Sequence, residues 1–246
     1  MPDFKKFEYV GVVCFTGYVD RQRDLSKELV RVGLNDVHYH WDFPSPYKDA
    51  LKRSIPMTRF NAKNSCFFIG LNNYKIIATA YHLGYRNVLV MEDDIRFLRD
   101  LNLLDEIISC LPEDYDLAML DHSKPGKMLP NDYLATFKSP VQRYWYEFSN
   151  LRSSGCYAMS RKGMERYLSV YELAARGQAV LRNNDFYFST QFLGTDMHLY
   201  AACPAPAIQY QYHGCHCQSM TEYYSLHKAL GLTKTQYQGF QNVALS

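Results

Sequence analysis

Long hydrophobic runs are missing from this sequence of 246 residues. No apolar stretch approaches the roughly 18 residues that a membrane-spanning helix requires. Residues 1–8 are charged and lack the apolar core of a secretory signal peptide. We therefore expect a cytoplasmic protein. Any association with a membrane would be peripheral and would involve the inner membrane.

Excess charge of one sign is also missing, because the formal net charge is only +2. A dedicated nucleic-acid-binding protein normally carries a clustered basic face, so we expect no nucleic-acid partner. The seven cysteines are an odd number. Four of them, Cys14, Cys66, Cys110 and Cys156, lie in apolar or helical stretches, which is typical of reduced buried residues and not of a disulfide framework.

Aromatic residues are abundant, at 15% of the chain with 21 tyrosines. Tyrosine joins an apolar ring to a polar tip, which suits sugars, although tyrosines also fill cores and interfaces. The hydrophobic share of 47% is that of an ordinary folded protein. The length is sufficient for one large α/β domain.

The most informative segment is an apolar run followed at once by three acids. Residues 88–91 read Val-Leu-Val-Met, which predicts a buried strand, and Glu92, Asp93 and Asp94 come directly after it. Ligands of α/β sheets bind beyond the carboxyl ends of the strands, and Mg²⁺ or Mn²⁺ held by such acids shares its coordination with substrate phosphates. The alternative is a solvated acidic turn. Acids that face open solvent, or that are already paired with arginines, would argue against a cation site.

Alternating strand and helix signals predict an α/β fold. The predicted strands cover residues 9–15, 36–43, 87–91, 116–120, 155–159 and 199–202, and the predicted helices cover about 20–32, 64–83, 101–111 and 160–171. Residues 123–148 contain several prolines and aromatic residues without a clear period, which predicts a long functional loop or lid.

Several blocks of the sequence resemble the family 25 glycosyltransferases, and they follow one another along the chain as they do in that family. The family includes bacterial lipooligosaccharide galactosyltransferases and collagen galactosyltransferases. The main block is Gly-Tyr-Arg-Asn-Val-Leu-Val-Met-Glu-Asp-Asp at residues 84–94. The others lie at residues 19–24, 65–68, 112–120 and 155–163, followed by Asp185 and the turn at residues 203–206. The chain departs from the family at Ile69 and Gly70, where a Ser-His pair is common, and at Asp121, where glycine is common.

The resemblance implies a single GT-A domain over residues 1–246, with a nucleotide-sugar-binding sheet flanked by helices and a loop-rich acceptor region. Residues 1–122 would form the nucleotide-sugar and metal half, and residues 123–246 the acceptor half. The implied activity is metal-dependent transfer of a sugar, galactose first, from a UDP-sugar to a glycan or glycolipid acceptor with inversion. The alternative is a relative that binds carbohydrate or nucleotide without transferring sugar.

Within that resemblance, Asp94 is the first candidate ligand of Mn²⁺ or Mg²⁺. Glu92 is a second metal candidate, and Glu92 or Asp93 could instead bind the waters of the metal or the ribose. In the resembled fold a histidine near the end of the chain often completes the coordination of the metal, and His213 is the candidate here, with His216 as its rival. Residues 213–217 could instead hold a structural zinc ion, or bind no metal.

The donor nucleotide is expected near the end of the first strand. Arg21 and Arg23 offer guanidinium groups to its phosphates, and Asp24 could accept a hydrogen bond from the base or ribose. The alternative is a solvated helix start with local ion pairs. Arg161 and Lys162 begin a later helix, where an anion is favoured, so they could help to hold the donor. The alternative is that both side chains are solvated.

An inverting transfer needs a base for the proton of the acceptor hydroxyl. Asp185 is the first candidate, Asp121 the second because it follows a strand near the expected donor site, and Asp196 a further rival.

Overall fold

A computed structural model describes residues 2–15, 18–41, 64–121, 137–148, 155–175 and 196–209. In chain order these residues form a short 3₁₀ turn (Phe4–Lys6), β1 (Tyr9–Cys14), α1 (Val19–Val32), β2 (His38–Trp41), α2 (Asn64–His82), β3 (Asn87–Glu92), β4 (Ile95–Phe97), α3 (Leu101–Ser109), β5 (Leu117–Met119), β6 (Phe137–Gln142), β7 (Trp145–Phe148), β8 (Cys156–Ser160), α4 (Arg161–Ala175), β9 (Leu199–Ala202) and β10 (Ala207–Gln209).

Eight of the strands form one mixed sheet in the order β2-β1-β3-β8-β5-β9-β7-β6. Strands β2, β1 and β3 are parallel, whereas β8 is antiparallel to both of its neighbours, β3 and β5. Strand β5 therefore runs in the same direction as β1 and β3, and the carboxyl ends of these three strands lie at one edge of the sheet. Strands β4 and β10 form a separate antiparallel pair.

The sheet is covered by helices on both faces, which confirms the predicted α/β class. On one face, Val10 and Val12 of β1 pack in a cluster with Leu25 and Leu29 of α1. On the other face, Val13 packs in a cluster that includes Ile76 of α2 and, from α4, Met164 and Tyr167. Because both faces of β1 are buried, its sequence is a continuous apolar run without alternation.

The halves expected on either side of residue 122 build one sheet together. Strand β8 comes from the second half and lies between β3 and β5 of the first. Residues 137–148, predicted as part of a loop or lid, instead form the hairpin β6–β7 at the edge of the sheet. The prediction was wrong there because β6 is mostly exposed and carries polar residues, so its sequence lacks an apolar pattern.

Two expectations about side chains and membranes can be compared with the described residues. Cys14, Cys110 and Cys156 are free thiols, and Cys14 and Cys156 are buried. Across the described ranges, no helix combines the length and the apolar character that crossing a bilayer requires.

Helix α1 is fixed to the segment after the three acids by a partly buried ion pair. Glu28 accepts a hydrogen bond from the backbone N–H of Phe97 at 2.7 Å and pairs with Arg31 at 2.6 Å. Arg31 also donates to the carbonyl groups of Phe97 and Leu98. The glutamate therefore helps to hold α1, which carries Arg21, against the strand that follows Asp94.

We expect Glu28→Ala to lower the free energy of unfolding by about 2 kcal/mol, because it leaves the buried N–H of Phe97 without its acceptor and the Arg31 guanidinium without its carboxylate partner. Urea denaturation monitored by circular dichroism measures this change. Lys27→Ala, on the exposed side of the same helix, is the matched control and should change stability by less than about 0.5 kcal/mol. Equal effects of the two substitutions would contradict the assigned role of Glu28.

Candidate functional site

Buried charged side chains meet at the carboxyl edge of the sheet. Arg21 lies in α1, the helix that follows β1. Glu92 is the last residue of β3, and Asp93 and Asp94 come directly after it. Asp121 lies two residues beyond the end of β5. Solvent reaches 9% of Arg21, 8% of Glu92, 2% of Asp94 and none of Asp93 or Asp121. We call these four acids, Glu92, Asp93, Asp94 and Asp121, the acid cluster.

Arg21 contacts two members of the acid cluster. Its Nη1 lies 3.2 Å from Oδ1 of Asp93 and 3.3 Å from Oδ2 of Asp94. The second oxygen of Asp93 accepts a hydrogen bond from the backbone N–H of Phe15, directly after β1, at 3.2 Å. Asp93 thus joins the ends of β1 and β3. The guanidinium of Arg21 also lies 4.5 Å from the ring centroid of Tyr18.

Glu92 has different neighbours. Gln209 of β10 donates a hydrogen bond from its amide to Glu92 Oε2 at 3.1 Å. The backbone N–H of Glu92 donates to the carbonyl of Gly155 at 2.8 Å. A Cβ at Gly155 would lie 2.5 Å from Asp121 Oδ2 and 2.7 Å from Cγ of Gln209. The absence of a side chain at residue 155 therefore allows Asp121 and Gln209 to approach Glu92.

The acid cluster concentrates negative charge away from water. Burial, followed by the charges of Asp94, Asp93 and Asp121, raises the pKa of Glu92 well above its ordinary value. Burial raises the pKa of Asp94 to about 7, although Arg21 opposes the rise. Burial also raises the pKa of Asp93. A cluster of this kind is stabilised by bound protons or by an added cation.

The chemistry of the donor atoms fits a divalent cation. Carboxylate oxygens are hard ligands, and Mg²⁺ is commonly held by one or two carboxylates together with substrate phosphates. Among the described residues, no group of three or more His, Cys, Asp or Glu side chains is arranged around a common metal position. The guanidinium of Arg21 stands in for a cation between Asp93 and Asp94. A divalent cation bound to Oδ1 of Asp93 and Oδ2 of Asp94 would therefore have to replace Arg21 at these oxygens.

Arg23 and Asp24 lie at the start of α1 with local partners. Arg23 is exposed and pairs with Asp20 at 3.2 Å and with Asp24 at 3.3 Å. Asp24 also lies 3.7 Å from the buried Arg96, whose charge acts on Asp94. The ion pairs of Arg23 are those expected if the start of α1 is a solvated helix end and not a nucleotide site. The roles of Arg23 and Asp24 toward a nucleotide stay predictions.

Two other candidates lie at the opposite edge of the sheet. Because β8 is antiparallel, its end at Ser160 pairs with Asn87, at the beginning of β3. Arg161 follows it and donates to the carbonyl groups of Tyr81 and Tyr85 at the end of α2. Asp196 is exposed and pairs with Lys162 at 3.1 Å. The structure therefore does not bring Arg161 or Asp196 together with the acid cluster.

Three candidates fall outside the described residues, namely Asp185, His213 and His216. Three residues at the site were not predicted from the sequence, namely Gly155, Gln209 and Arg96. Gly155 begins a predicted strand, but nothing in its sequence context indicates which side chains approach it. Gln209 reaches Glu92 only because β10 pairs with β4, and neither of these short strands was predicted.

Comparisons with known proteins give similarities of structure only. No protein-family model and no curated protein sequence matches the chain. Resemblance to family 25 therefore stays a prediction.

The solved structures that are similar include three glycosyltransferases. One takes part in glycosylation of the major capsid of the virus PBCV-1, with a TM-score of 0.47 and 10% identity over 89% of this chain and 99% of that one. Another is GlyE of Streptococcus pneumoniae TIGR4, with a TM-score of 0.42 and 12% identity over 97% of this chain and 64% of that one. A third is the galactosyltransferase LgtC in complex with donor and acceptor sugar analogues, with a TM-score of 0.39 and 10% identity over 94% of this chain and 99% of that one.

At identities of 10–12%, these similarities concern the fold, and they assign neither an activity nor a site residue to this chain.

Proposed function

We propose that this protein is a glycosyltransferase that moves a sugar from a UDP-sugar donor to a glycan or glycolipid acceptor. One observation carries the proposal: the buried acid cluster and Arg21 meet at the carboxyl ends of three strands that run in the same direction. This edge is where α/β sheets bind nucleotide ligands. Galactose is the first donor sugar to test.

The residues of the cluster divide into two groups in this proposal. Asp94 stays the first candidate ligand of Mn²⁺ or Mg²⁺, and Glu92 and His213 stay further candidates. We add Asp93, which the sequence assigned to the waters of the metal or to the ribose, because Arg21 contacts both Asp93 and Asp94. When bound, the cation neutralises charge on the leaving nucleoside diphosphate. Arg21 would bind the phosphates of the donor, because its guanidinium pairs with phosphate oxygens as well as with carboxylates.

The second group is Glu92 and Asp121, with Gln209 hydrogen-bonded to Glu92. Asp121 would face the transferred sugar, together with Glu92 if that residue is not a metal ligand. In an inverting reaction the acceptor oxygen forms a bond to the anomeric carbon while the bond to the diphosphate breaks. The hydroxyl proton passes to a base, for which we propose Asp185 or Asp121. Asp121 is supported by its position in the acid cluster, where its charge acts on Glu92 and Asp94.

The ion pairs of Arg21 favour a second candidate function. Acids already neutralised by an arginine suit a protein that binds a nucleotide or a carbohydrate without transferring sugar. Such a protein would bind its ligand but would release no UDP from a UDP-sugar.

Thermal unfolding with UDP, UDP-galactose or UDP-glucose, each with and without Mn²⁺, tests binding directly, because a ligand of the native state raises the unfolding temperature. We expect one of the UDP-sugars to give a rise that requires Mn²⁺. Release of UDP should then depend on a glycan acceptor. Stabilisation without UDP release across a panel of acceptors would favour the binding protein. No stabilisation by any nucleotide would contradict the transferase and a nucleotide-binding protein alike, and would leave only binding of a carbohydrate.

A further inference from the structure

Arg21 occupies the position between Asp93 and Asp94 that the proposed function assigns to a divalent cation. We propose that Arg21 and the cation compete for these two acids, and that the diphosphate of the donor is the alternative partner of Arg21. The inference rests on the proposed function. It makes Arg21 a residue that couples the binding of the cation to the binding of the nucleotide.

The contacts of Arg21 support this competition for the two carboxylate oxygens that Arg21 occupies. A single nitrogen, Nη1, lies within 3.3 Å of both carboxylates. A divalent cation on the same oxygens would lie beside the positive guanidinium, at a site that excludes water almost completely. Repulsion between two cations is strong in such surroundings because little solvent screens it. Both cations cannot therefore keep these contacts at the same time.

The contact with Tyr18 would allow the guanidinium of Arg21 to exchange one anionic partner for another. The guanidinium lies 4.5 Å from the ring centroid of Tyr18, and about half of the surface of Tyr18 is exposed. An arginine can stay stacked on an aromatic ring while its N–H groups turn to a different anion. A planar guanidinium binds two phosphate oxygens with the same geometry that it uses for carboxylates.

The competition predicts a defined thermodynamic coupling. The cation alone binds weakly, because it must displace Arg21 from Asp93 and Asp94. A bound diphosphate lowers the cost of displacing Arg21, because its oxygens accept the hydrogen bonds of the guanidinium. UDP should therefore tighten binding of the cation. By linkage, the cation tightens binding of UDP by the same factor. Removing the guanidinium should weaken this coupling in both directions.

The test measures Mn²⁺ binding through the electron paramagnetic resonance signal of the free ion, for the full chain and for Arg21→Gln. We expect Arg21→Gln to bind Mn²⁺ alone about tenfold more tightly, because a charge-assisted contact no longer competes. Binding of UDP without Mn²⁺, measured by calorimetry, should weaken by about tenfold because the phosphates lose their arginine. Lys27→Gln is the matched control, since it removes an exposed positive charge from the same helix, and it should leave both affinities unchanged.

Each outcome bears on the inference. Unchanged Mn²⁺ affinity in Arg21→Gln, with UDP–Mn²⁺ binding intact, overturns the competition and leaves the proposed function standing. Weaker Mn²⁺ binding in that variant also overturns the competition. No binding of either ligand by the unmodified protein overturns the proposed function and the inference together. If circular dichroism shows that Arg21→Gln is unfolded, Arg21→Met replaces it. Its long side chain carries no charge to compete for Asp93 and Asp94, so Mn²⁺ should again bind more tightly than in the unmodified protein.

Discussion

Asp94→Asn is expected to abolish the Mn²⁺-dependent part of UDP binding and to reduce UDP release from the donor by at least about a thousandfold. The amide has the shape of the carboxylate but lacks its charge, so it is a poor ligand for a hard divalent cation. Asp94 is the first candidate ligand of the cation, and its Oδ2 lies 3.3 Å from Nη1 of Arg21. Calorimetric titration of UDP with and without Mn²⁺ measures the binding effect.

The same substitution should leave the protein folded. Burial raises the pKa of Asp94 to about 7, which means that the folded protein disfavours the ionised side chain. A neutral amide of the same size removes that cost, so the unfolding temperature should stay unchanged or rise. A loss of function with an unchanged or higher unfolding temperature would therefore locate the effect in the site.

Asp36→Asn is the control for Asp94→Asn, because Asp36 is exposed and lies beyond the end of α1. It should change neither Mn²⁺-dependent binding nor UDP release. Mn²⁺-dependent UDP binding of normal strength in Asp94→Asn would remove Asp94 from the set of metal ligands.

The parts of the fold that the sequence predicts are those in which local signals and burial agree. Strand β1 and the apolar part of β3 are continuous apolar runs because both of their faces are covered. Helix α1 ends where Gly33 adopts a φ of 78°, a left-handed conformation that glycine accepts without strain. These features depend on neighbouring residues, so they are visible in a short window of sequence.

Strand direction is not visible in such a window. The apolar pattern of β8 reads the same in either direction, and only its pairing with β3 and β5 fixes it as antiparallel. That direction decides the position of Arg161, which was a candidate contact of the donor because it begins a helix, where an anion is favoured. In the antiparallel arrangement the same helix begins at the opposite edge, where Arg161 donates to the carbonyl groups of Tyr81, in α2, and of Tyr85, just beyond α2.

The site was predicted in part for a related reason. An acid at the end of a buried strand has its position fixed by the backbone, so the acids after β3 and Asp121 could be placed at one edge. An arginine side chain is long and accepts either carboxylates or phosphates as partners. Its sequence position therefore placed Arg21 near the site, but could not tell whether it binds a nucleotide or the acid cluster. Gln209 could not be predicted at all, since it contacts Glu92 across 117 residues of sequence.

A helix glycine far from the acid cluster provides the largest expected effect on stability. Gly163 lies in the first turn of α4, and a Cβ there would be 2.1 Å from the carbonyl oxygen of Asp116 and 3.1 Å from its carbonyl carbon. That carbonyl belongs to the backbone and accepts a hydrogen bond from the N–H of Ser160 at 3.2 Å. The side chain of Asp116 accepts another from the hydroxyl of Ser160 at 2.9 Å. The carbonyl therefore cannot move aside without breaking contacts that join β8 to β5.

We expect Gly163→Ala to lower the free energy of unfolding by about 3 kcal/mol, as an overpacking substitution that forces a backbone shift. The sign is the informative quantity, because replacing a helix glycine by alanine ordinarily stabilises by up to about 1 kcal/mol. Urea denaturation at several protein concentrations measures the change, and Glu165→Ala, at an exposed position of the same helix, should lie within about 0.5 kcal/mol of the unmodified protein. A neutral or stabilising Gly163→Ala would mean that α4 does not approach Asp116 as closely as described. Because α4 begins at the edge opposite the acid cluster, the fraction of this variant that stays folded should bind UDP with unchanged affinity, which separates this structural role from the chemistry of the site.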